Sequence, residues 1–258
     1  MIKYDFVFVV LVYRNTKDLY EFFLSFSIPR SKVIVVNSFY DEDTRIEFEK
    51  IASTNNADFL NVPNKGYGAG NNRGCEYALK KYDFKFLIIS NADIEINKLE
   101  VNSLSENVIT APDIITQNNK KQNPHMPYYW KWYVRFKYKM LKNESRLSVF
   151  CWIISRFVRE FYLLFHKKGY VYSAHGAFVI IPKRKLEKLY PIYNERMFLF
   201  CEEEHFAMLA KSNGIRFYYD SSVVIKHKED GSIGTSNVNV NAEERKSYIE
   251  FYKTWFGR

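Results

Sequence analysis

Along the first hundred residues, short apolar runs alternate with polar stretches of helical spacing. Residues 6–12, 33–36, 59–62 and 86–89 are apolar runs of strand length, while 16–26, 43–54 and 74–82 between them are helix-compatible. Strand and helix in this alternation predict an α/β fold, a mostly parallel central sheet with right-handed crossovers and flanking helices. Ligands of such sheets bind at the carboxyl ends of the strands. The polar clusters that follow the runs are therefore where chemistry is to be sought.

Beyond them the pattern weakens. Residues 110–123 are polar without an apolar period and read as loop or short edge strands. A second α/β-like portion opens at Ser173: 176–182 reads as a strand, 202–213 as a helix ended by Gly214, and 217–225 as a strand with His227 just beyond it. A length of 258 residues suits one domain, 1–258, carrying insertions. With 47% hydrophobic and 26% charged residues the chain is neither disordered nor membrane-spanning in class. The opening apolar run is only seven residues long with no small-residue cleavage site after it, and no stretch reaches the roughly 18 apolar residues of a spanning helix, so a cytoplasmic protein is expected.

Charge changes the picture in one place. The net charge is +9, yet residues 125–172 hold ten Lys or Arg against two Glu, which leaves the rest of the chain nearly neutral. That distribution argues against a nucleic-acid-binding protein as a whole and points to one local basic device. Fifteen aromatic residues interleave with those cations at mixed three- and four-residue spacings. Helices lying on an anionic membrane surface have this composition, with Lys131, Arg135, Lys137 and Lys139 meeting lipid headgroups. A helical lid whose aromatics pack inward over an acceptor site has it too. The three cysteines, Cys75, Cys151 and Cys201, are far apart and are expected to be free thiols.

Four polar clusters follow the strands of the first half: Tyr13-Arg14-Asn15, a group opening at Asn37, the stretch NKGYGAGNNRG from Asn64 to Gly74, and Asn91-Ala92-Asp93. The glycine-rich stretch lies between a strand and a helix, where absent side chains let backbone N–H groups approach an anion. Its spacing differs from the dinucleotide fingerprint, and a plain tight turn reads equally well. Asp93 places a carboxylate at a strand end, suited to Mg²⁺ or Mn²⁺ shared with a diphosphate, although such a tripeptide alone is also a common turn or cap.

Taken in order, the clusters resemble glycosyltransferase family 2, and especially its rhamnosyltransferase-like and galactofuranosyltransferase-like branch. The opening VVLVYRN, the Asn64 to Gly74 loop, Asn91-Ala92-Asp93 in place of the family's NPD, Gly176-Ala177-Phe178 in place of its GAF, the helix start Phe200-Cys201-Glu202-Glu203-Glu204-His205-Phe206, and His227 to Ser232 all fall in the family's sequence. The resemblance implies a GT-A fold, a nucleoside-diphosphate sugar donor, UDP- or dTDP-linked, and inversion at the anomeric carbon. It implies a saccharide acceptor, lipid-linked in the building of bacterial surface polysaccharide. Glu203 then corresponds to the general base, with Glu202 beside it, and Asp93 and His227 to the Mn²⁺ or Mg²⁺ site. Donor contacts fall to Tyr13, Arg14, Asn15, Asn37, Asn64, Gly66, Tyr67, Gly68, Asn71, Asn91 and Ala92, and the acceptor side to Gly176 and His205. Asp41 and Asp43 either supplement Asn37 or cap the next helix.

Two other classes compete. A nucleotidyltransferase-like enzyme shares the strand, glycine loop and metal carboxylate, but the first strand's YRNTKD lacks that class's basic glycine loop. A basic adaptor without catalysis, binding membrane or nucleic acid through 125–172, leaves the ordered motifs outside that segment unexplained.

Overall fold

The computed structural model describes residues 3–145, 147–229 and 239–257. The first half follows the alternation of the sequence: β1 (Lys3–Val12), α1 (Thr16–Ser25), β2 (Ser31–Ser38), α2 (Glu42–Thr54), β3 (Asp58–Val62), α3 (Tyr67–Lys81) and β4 (Asp83–Asn91). β5 (Ile94–Lys98) and β6 (Ile109–Thr116) follow, then α4 (Lys131–Lys142), α5 (Ser148–Phe165) and β7 (Lys168–Val171). The chain continues with β8 (Phe178–Pro182), α6 (Lys183–Leu189), α7 (Glu202–Ser212), β9 (Phe217–His227) and α8 (Val240–Phe256).

Among the described residues nine strands form one sheet in the order β3-β2-β1-β4-β8-β6-β9, with β5 and β7 both on the far edge of β9. β1, β2, β3, β4, β6 and β9 run one way; β8, β5 and β7 run against them. Continuous apolar runs in β1, β2 and β4 reflect burial of both faces. One face packs Val7, Val9, Ile34, Val36, Leu87 and Ile89 against α3, α6 and α7. The other packs Phe8, Val10, Val35 and Ile88 against Leu19 and Phe22 of α1 and Phe48 of α2. β1 is followed outward by β2 on one side and, later in the chain, by β4 on the other. That reversal opens a crevice at their carboxyl ends, where Tyr13 and Asn91 lie.

Two sequence expectations need correction. Residues 109–116 are an inner strand, not a loop or edge: the polar Asp113 is buried there because the Tyr219 hydroxyl (2.9 Å) and the Lys121 ammonium (2.7 Å) satisfy its carboxylate. The α/β-like portion after Ser173 adds β8 and β9 to this same sheet. The glycine-rich stretch is largely helical, since α3 already begins at Tyr67. The basic aromatic segment is indeed helical, as α4 and α5, but it also supplies β7, whose pairing with β9 ties the segment to the sheet.

Candidate active site

The glycines of α3 explain its position. A Cβ on Gly70 would meet Leu11 Cδ1 at 2.5 Å, and one on Gly74 would meet Val9 Cγ1 at 2.3 Å, so their absence lets α3 lie directly on β1. Gly68 does the same against Tyr193. These residues serve helix–sheet packing, and Gly66 is the one that requires glycine for its backbone: φ is 101°, and a Cβ would lie 2.1 Å from the Phe198 carbonyl oxygen. The Gly66 N–H is turned to the Asn64 side chain, and the Tyr67 N–H donates to the Phe198 oxygen at 2.9 Å. Asn71 is fully buried and donates to the Tyr67 carbonyl. The loop is thereby fastened to the segment that leads into α7.

That segment is strained. Phe200 and Cys201 are both left-handed, with φ of 72° and 67°, a conformation that costs non-glycine residues about 1–2 kcal/mol each. The turn delivers three consecutive glutamates to the first turn of α7, and the three meet different surroundings. Glu202 is buried with its Oε1 unpartnered; burial, and next the charge of Glu203, push its pKa well above the carboxylate range, so it is held as the neutral acid. For Glu204, burial works against the charge but Lys137 and His125, 3.5 and 3.7 Å away, outweigh it and hold the pKa below the usual range. Glu203 lies between them, half-buried, and its Oε1 accepts the Gly176 N–H at 3.1 Å. The Tyr67 hydroxyl donates to the Gly176 carbonyl at 2.9 Å, with Asn91 Oδ1 3.4 Å away. Burial, then the nearby Glu203 and Glu202, raise the Tyr67 pKa, which keeps that hydroxyl protonated. Tyr67, Asn91, Gly176 and Glu203 thus form one connected group drawn from four elements or their ends.

Asp93, in the turn between β4 and β5, is 3% exposed, and Ala92 beside it is buried. The Asp93 carbonyl accepts the Lys228 N–H, which brings the end of β9 alongside. His227, the last residue of β9 rather than a residue beyond it, presents Nε2 at 3.2 Å from Asp93 Oδ2. That contact is not aligned as a hydrogen bond, and Oδ2 has no donor. On the other side of the ring, Nδ1 lies 2.7 Å from Gln122 Oε1, whose own Nε2 donates to Glu229. An amide oxygen there fixes the imidazole proton on Nδ1. The Nε2 lone pair and the Asp93 oxygen then face one point, a donor set that fits a divalent cation. Among the described residues no three His, Cys, Asp or Glu side chains converge on one point. Two protein ligands suit an ion that completes its shell with diphosphate and water. Asp230, Gly231 and Ser232 of the late motif lie outside the described residues.

At the other end of the crevice Arg14, left-handed with φ of 62°, lays its guanidinium 4.0 Å over the Tyr40 ring and 5.1 Å from that of Tyr13. The two rings meet edge-on at 5.7 Å. Asn15 caps α1 without a side-chain hydrogen bond. Asn37 is buried and donates to Asn61, while its Oδ1 is unpartnered. Asp41 accepts from Thr44 N at 2.9 Å, so it is the N-cap of α2.

His175, which the sequence did not single out, joins the site, and Lys137 and His205 take other places than the sequence suggested. His175 rests its ring 6.4 Å from His125 and 5.9 Å from His227, linking the two ends. Burial, then its histidine neighbours, lower its pKa well below the ordinary value. Lys137 faces inward to Glu204 and Glu244 and packs over the Tyr248 ring, so it is not one of the lipid-facing cations. His205 is buried and takes a hydrogen bond from Trp255 Nε1 at 3.1 Å, placing it under α8. Glu204 and His205 stand in the helix-start motif and Lys137 in the basic segment, but His205, expected on the acceptor side, is turned to Trp255, and His125 and His175 carried no motif signal.

No protein-family model matches the chain, and no curated protein matches it. Solved structures do. The fold aligns with GalNAc-T7, crystallised with UDP, GalNAc and Mn²⁺, over 98% of this chain and 48% of that one, with a TM-score of 0.64 at 11% identity. It aligns with TarS of S. aureus over 87% of this chain and 36% of that one, with a TM-score of 0.54 at 16% identity. A shorter TarS chain, residues 1–349, is covered over 72% of its length, with a TM-score of 0.53 at 14% identity. The chain thus spans about half of GalNAc-T7 and about a third of the longer TarS chain. Its mixed sheet, flanking helices and crevice have the GT-A fold of these glycosyltransferases.

Proposed function

We propose that this protein is an inverting glycosyltransferase, moving a sugar from a UDP- or dTDP-linked donor to a saccharide acceptor in bacterial surface polysaccharide synthesis. The observation that carries it is the placement of Glu203, held on the Gly176 N–H, and the Asp93–His227 pair at the same end of the sheet, where β4 and β9 finish and β8 begins. GalNAc-T7, with UDP and Mn²⁺, and the S. aureus protein TarS support the class of reaction, and the ordered motifs support the family 2 branch.

In this reading the nucleobase lies against Tyr13, Arg14 and Tyr40, and the diphosphate runs past Asn91 toward Asp93. A divalent cation, Mn²⁺ or Mg²⁺, held by Asp93 and His227 would neutralise charge on the leaving diphosphate. Glu203 takes the proton of the acceptor hydroxyl. That oxygen attacks the anomeric carbon from the face opposite the diphosphate, the carbon–diphosphate bond breaks, and the configuration inverts. Glu202, whose burial favours the neutral acid, is left out of that role. A lipid-linked acceptor fits a cleft bordered by the aromatic segment of α4 and α5. The test is sugar release or transfer from a panel of UDP- and dTDP-sugars by the purified protein, with and without Mn²⁺. Metal-dependent consumption of one donor is expected, and inertness toward every donor, with no nucleotide-induced thermal shift, would overturn the reading.

A further inference from the structure

α5 turns most of its apolar side chains to the outside. Its outward residues Trp152, Ile153, Phe157, Phe161, Leu164 and Phe165 are from 48% to 76% exposed, while the side facing the protein carries Cys151, Ile154, Ser155, Arg159, Tyr162 and Leu163. Arg159 is half-buried with its Nε unpartnered, and its positive charge acts on His175 in the crevice. The apolar stripe is continuous: Phe157 and Phe161 stack at 6.5 Å, and Phe161 meets Phe165 at 5.3 Å. Soluble proteins rarely leave so large a contiguous aromatic and aliphatic face bare.

The charges round this stripe select its occupant. Arg156 lies on the outer side, 5.5 Å over the Trp152 ring; Lys167 follows the helix, and Lys131 and Arg135 stand exposed on α4 beside the exposed Trp132. Glu160 is the one acid of α5. A second copy of the chain would bring the same positive segment against itself. A layer of negative headgroups over hydrocarbon satisfies both the cations and the apolar stripe. Among the described residues no helix is long and apolar enough to cross a membrane. A helix of 18 residues, about 27 Å long, instead lies along the surface. We propose that the outer face of α5 docks the protein on an anionic lipid bilayer, with Trp152, Phe157, Phe161 and Leu164 below the headgroups and Arg156, Lys167, Lys131 and Arg135 among them.

Vesicle binding needs no donor, metal or acceptor, so the proposal stands or falls apart from the glycosyl-transfer reading. The intact protein is sedimented with phosphatidylcholine vesicles of graded phosphatidylglycerol content, at low and high salt, while tryptophan emission is followed. Binding that rises with phosphatidylglycerol, weakens in salt and shifts the emission to the blue is expected. F157S/F161S/L164S alters only exposed side chains and should lower partitioning by about tenfold or more with an unchanged circular dichroism spectrum. K131Q/R135Q/R156Q/K167Q should remove the dependence on phosphatidylglycerol. Wild-type protein that ignores anionic vesicles overturns the proposal, as does a triple variant that binds them equally well. A concentration-dependent dimer that the triple variant abolishes, without vesicle binding by the wild type, assigns the face to a second copy and overturns it too.

Discussion

Glu203 Oε1 accepts the Gly176 N–H at 3.1 Å, and a Cβ on Gly176 would lie 3.0 Å from the same oxygen. The contact joins the start of α7 to the approach of β8 and aims one carboxylate of three into the crevice. Glu203→Gln should retain donor affinity and lose turnover by roughly 10²–10⁴-fold, the scale of a positioned base. Gly176→Ala crowds that oxygen and should lower kcat with little change in donor binding. Single-turnover kinetics with calorimetric donor affinity separates these effects. A Glu203→Gln enzyme of wild-type rate would remove the residue from catalysis.

Glu202 is expected to behave differently although it is adjacent. Burial keeps it neutral, and glutamine is close to a neutral glutamic acid in size and polarity. Glu202→Gln should therefore keep turnover within a few fold. If Glu202→Gln were inert and Glu203→Gln active, the base would be the buried member of the pair.

How much of this was legible in the sequence depends on the kind of signal. β1, β2 and β4 were readable because strands buried on both faces are written as uninterrupted apolar runs, and the half-buried edge strand β3 by its place in the alternation. β6 was not, since Thr110, Asp113 and Thr116 make its sequence look exposed and only the distant Tyr219 and Lys121 reveal how Asp113 is satisfied. The glycines of α3 were visible, but their reason, contact with Val9 and Leu11, is a packing fact that spacing does not carry. Asp93 and Glu203 stand in short motifs. Gln122, His125, His175 and Lys137 reach the site through tertiary structure alone. The exposed apolar face of α5 was likewise hidden, because a helical period says that a helix has two faces and not which one turns inward.

Gln122 orients His227 by accepting a hydrogen bond from its Nδ1–H at 2.7 Å, and Glu229 orients Gln122 in turn by accepting from its Nε2. Removing a partner of this kind commonly weakens metal binding by about 10–100-fold. Gln122→Ala should do so for Mn²⁺ in the presence of UDP, read by calorimetry or by the Mn²⁺ resonance signal. Asp93→Ala should abolish metal-dependent nucleotide binding. Equal Mn²⁺ affinity in wild type and Gln122→Ala would show that the relay does not hold the imidazole for a cation.

Lys137 joins α4 to α7 and α8 through Glu204 and Glu244, at 3.5 and 3.2 Å. Its loss leaves Glu204 charged and shielded from water beside Glu202 and Glu203. Lys137→Ala should destabilise the fold by about 3–5 kcal/mol, the usual cost of breaking a buried pair on one side. Lys137→Ala/Glu204→Gln should recover part of that loss in urea unfolding, where a surface lysine would show neither effect.

His205 provides the clearest pH dependence. Burial alone lowers its pKa to about 4 from an ordinary 6.5, so the native ring is neutral, as it must be for Nδ1 to accept the Trp255 N–H. In the unfolded chain the ring takes up a proton as pH falls through about 6.5, while the native protein refuses it until about 4. The unfolded state binds more protons across that interval, so stability is full above it and declines as pH falls through it. Complete expression of the difference corresponds to about 3 kcal/mol between those two pH values. His205→Asn retains an acceptor near the Nδ1 position and cannot titrate. Urea midpoints measured across this interval should fall less steeply for His205→Asn than for the wild type, with the two curves diverging most toward pH 4. Parallel curves would mean that His205 is as readily protonated in the folded protein as in the unfolded one.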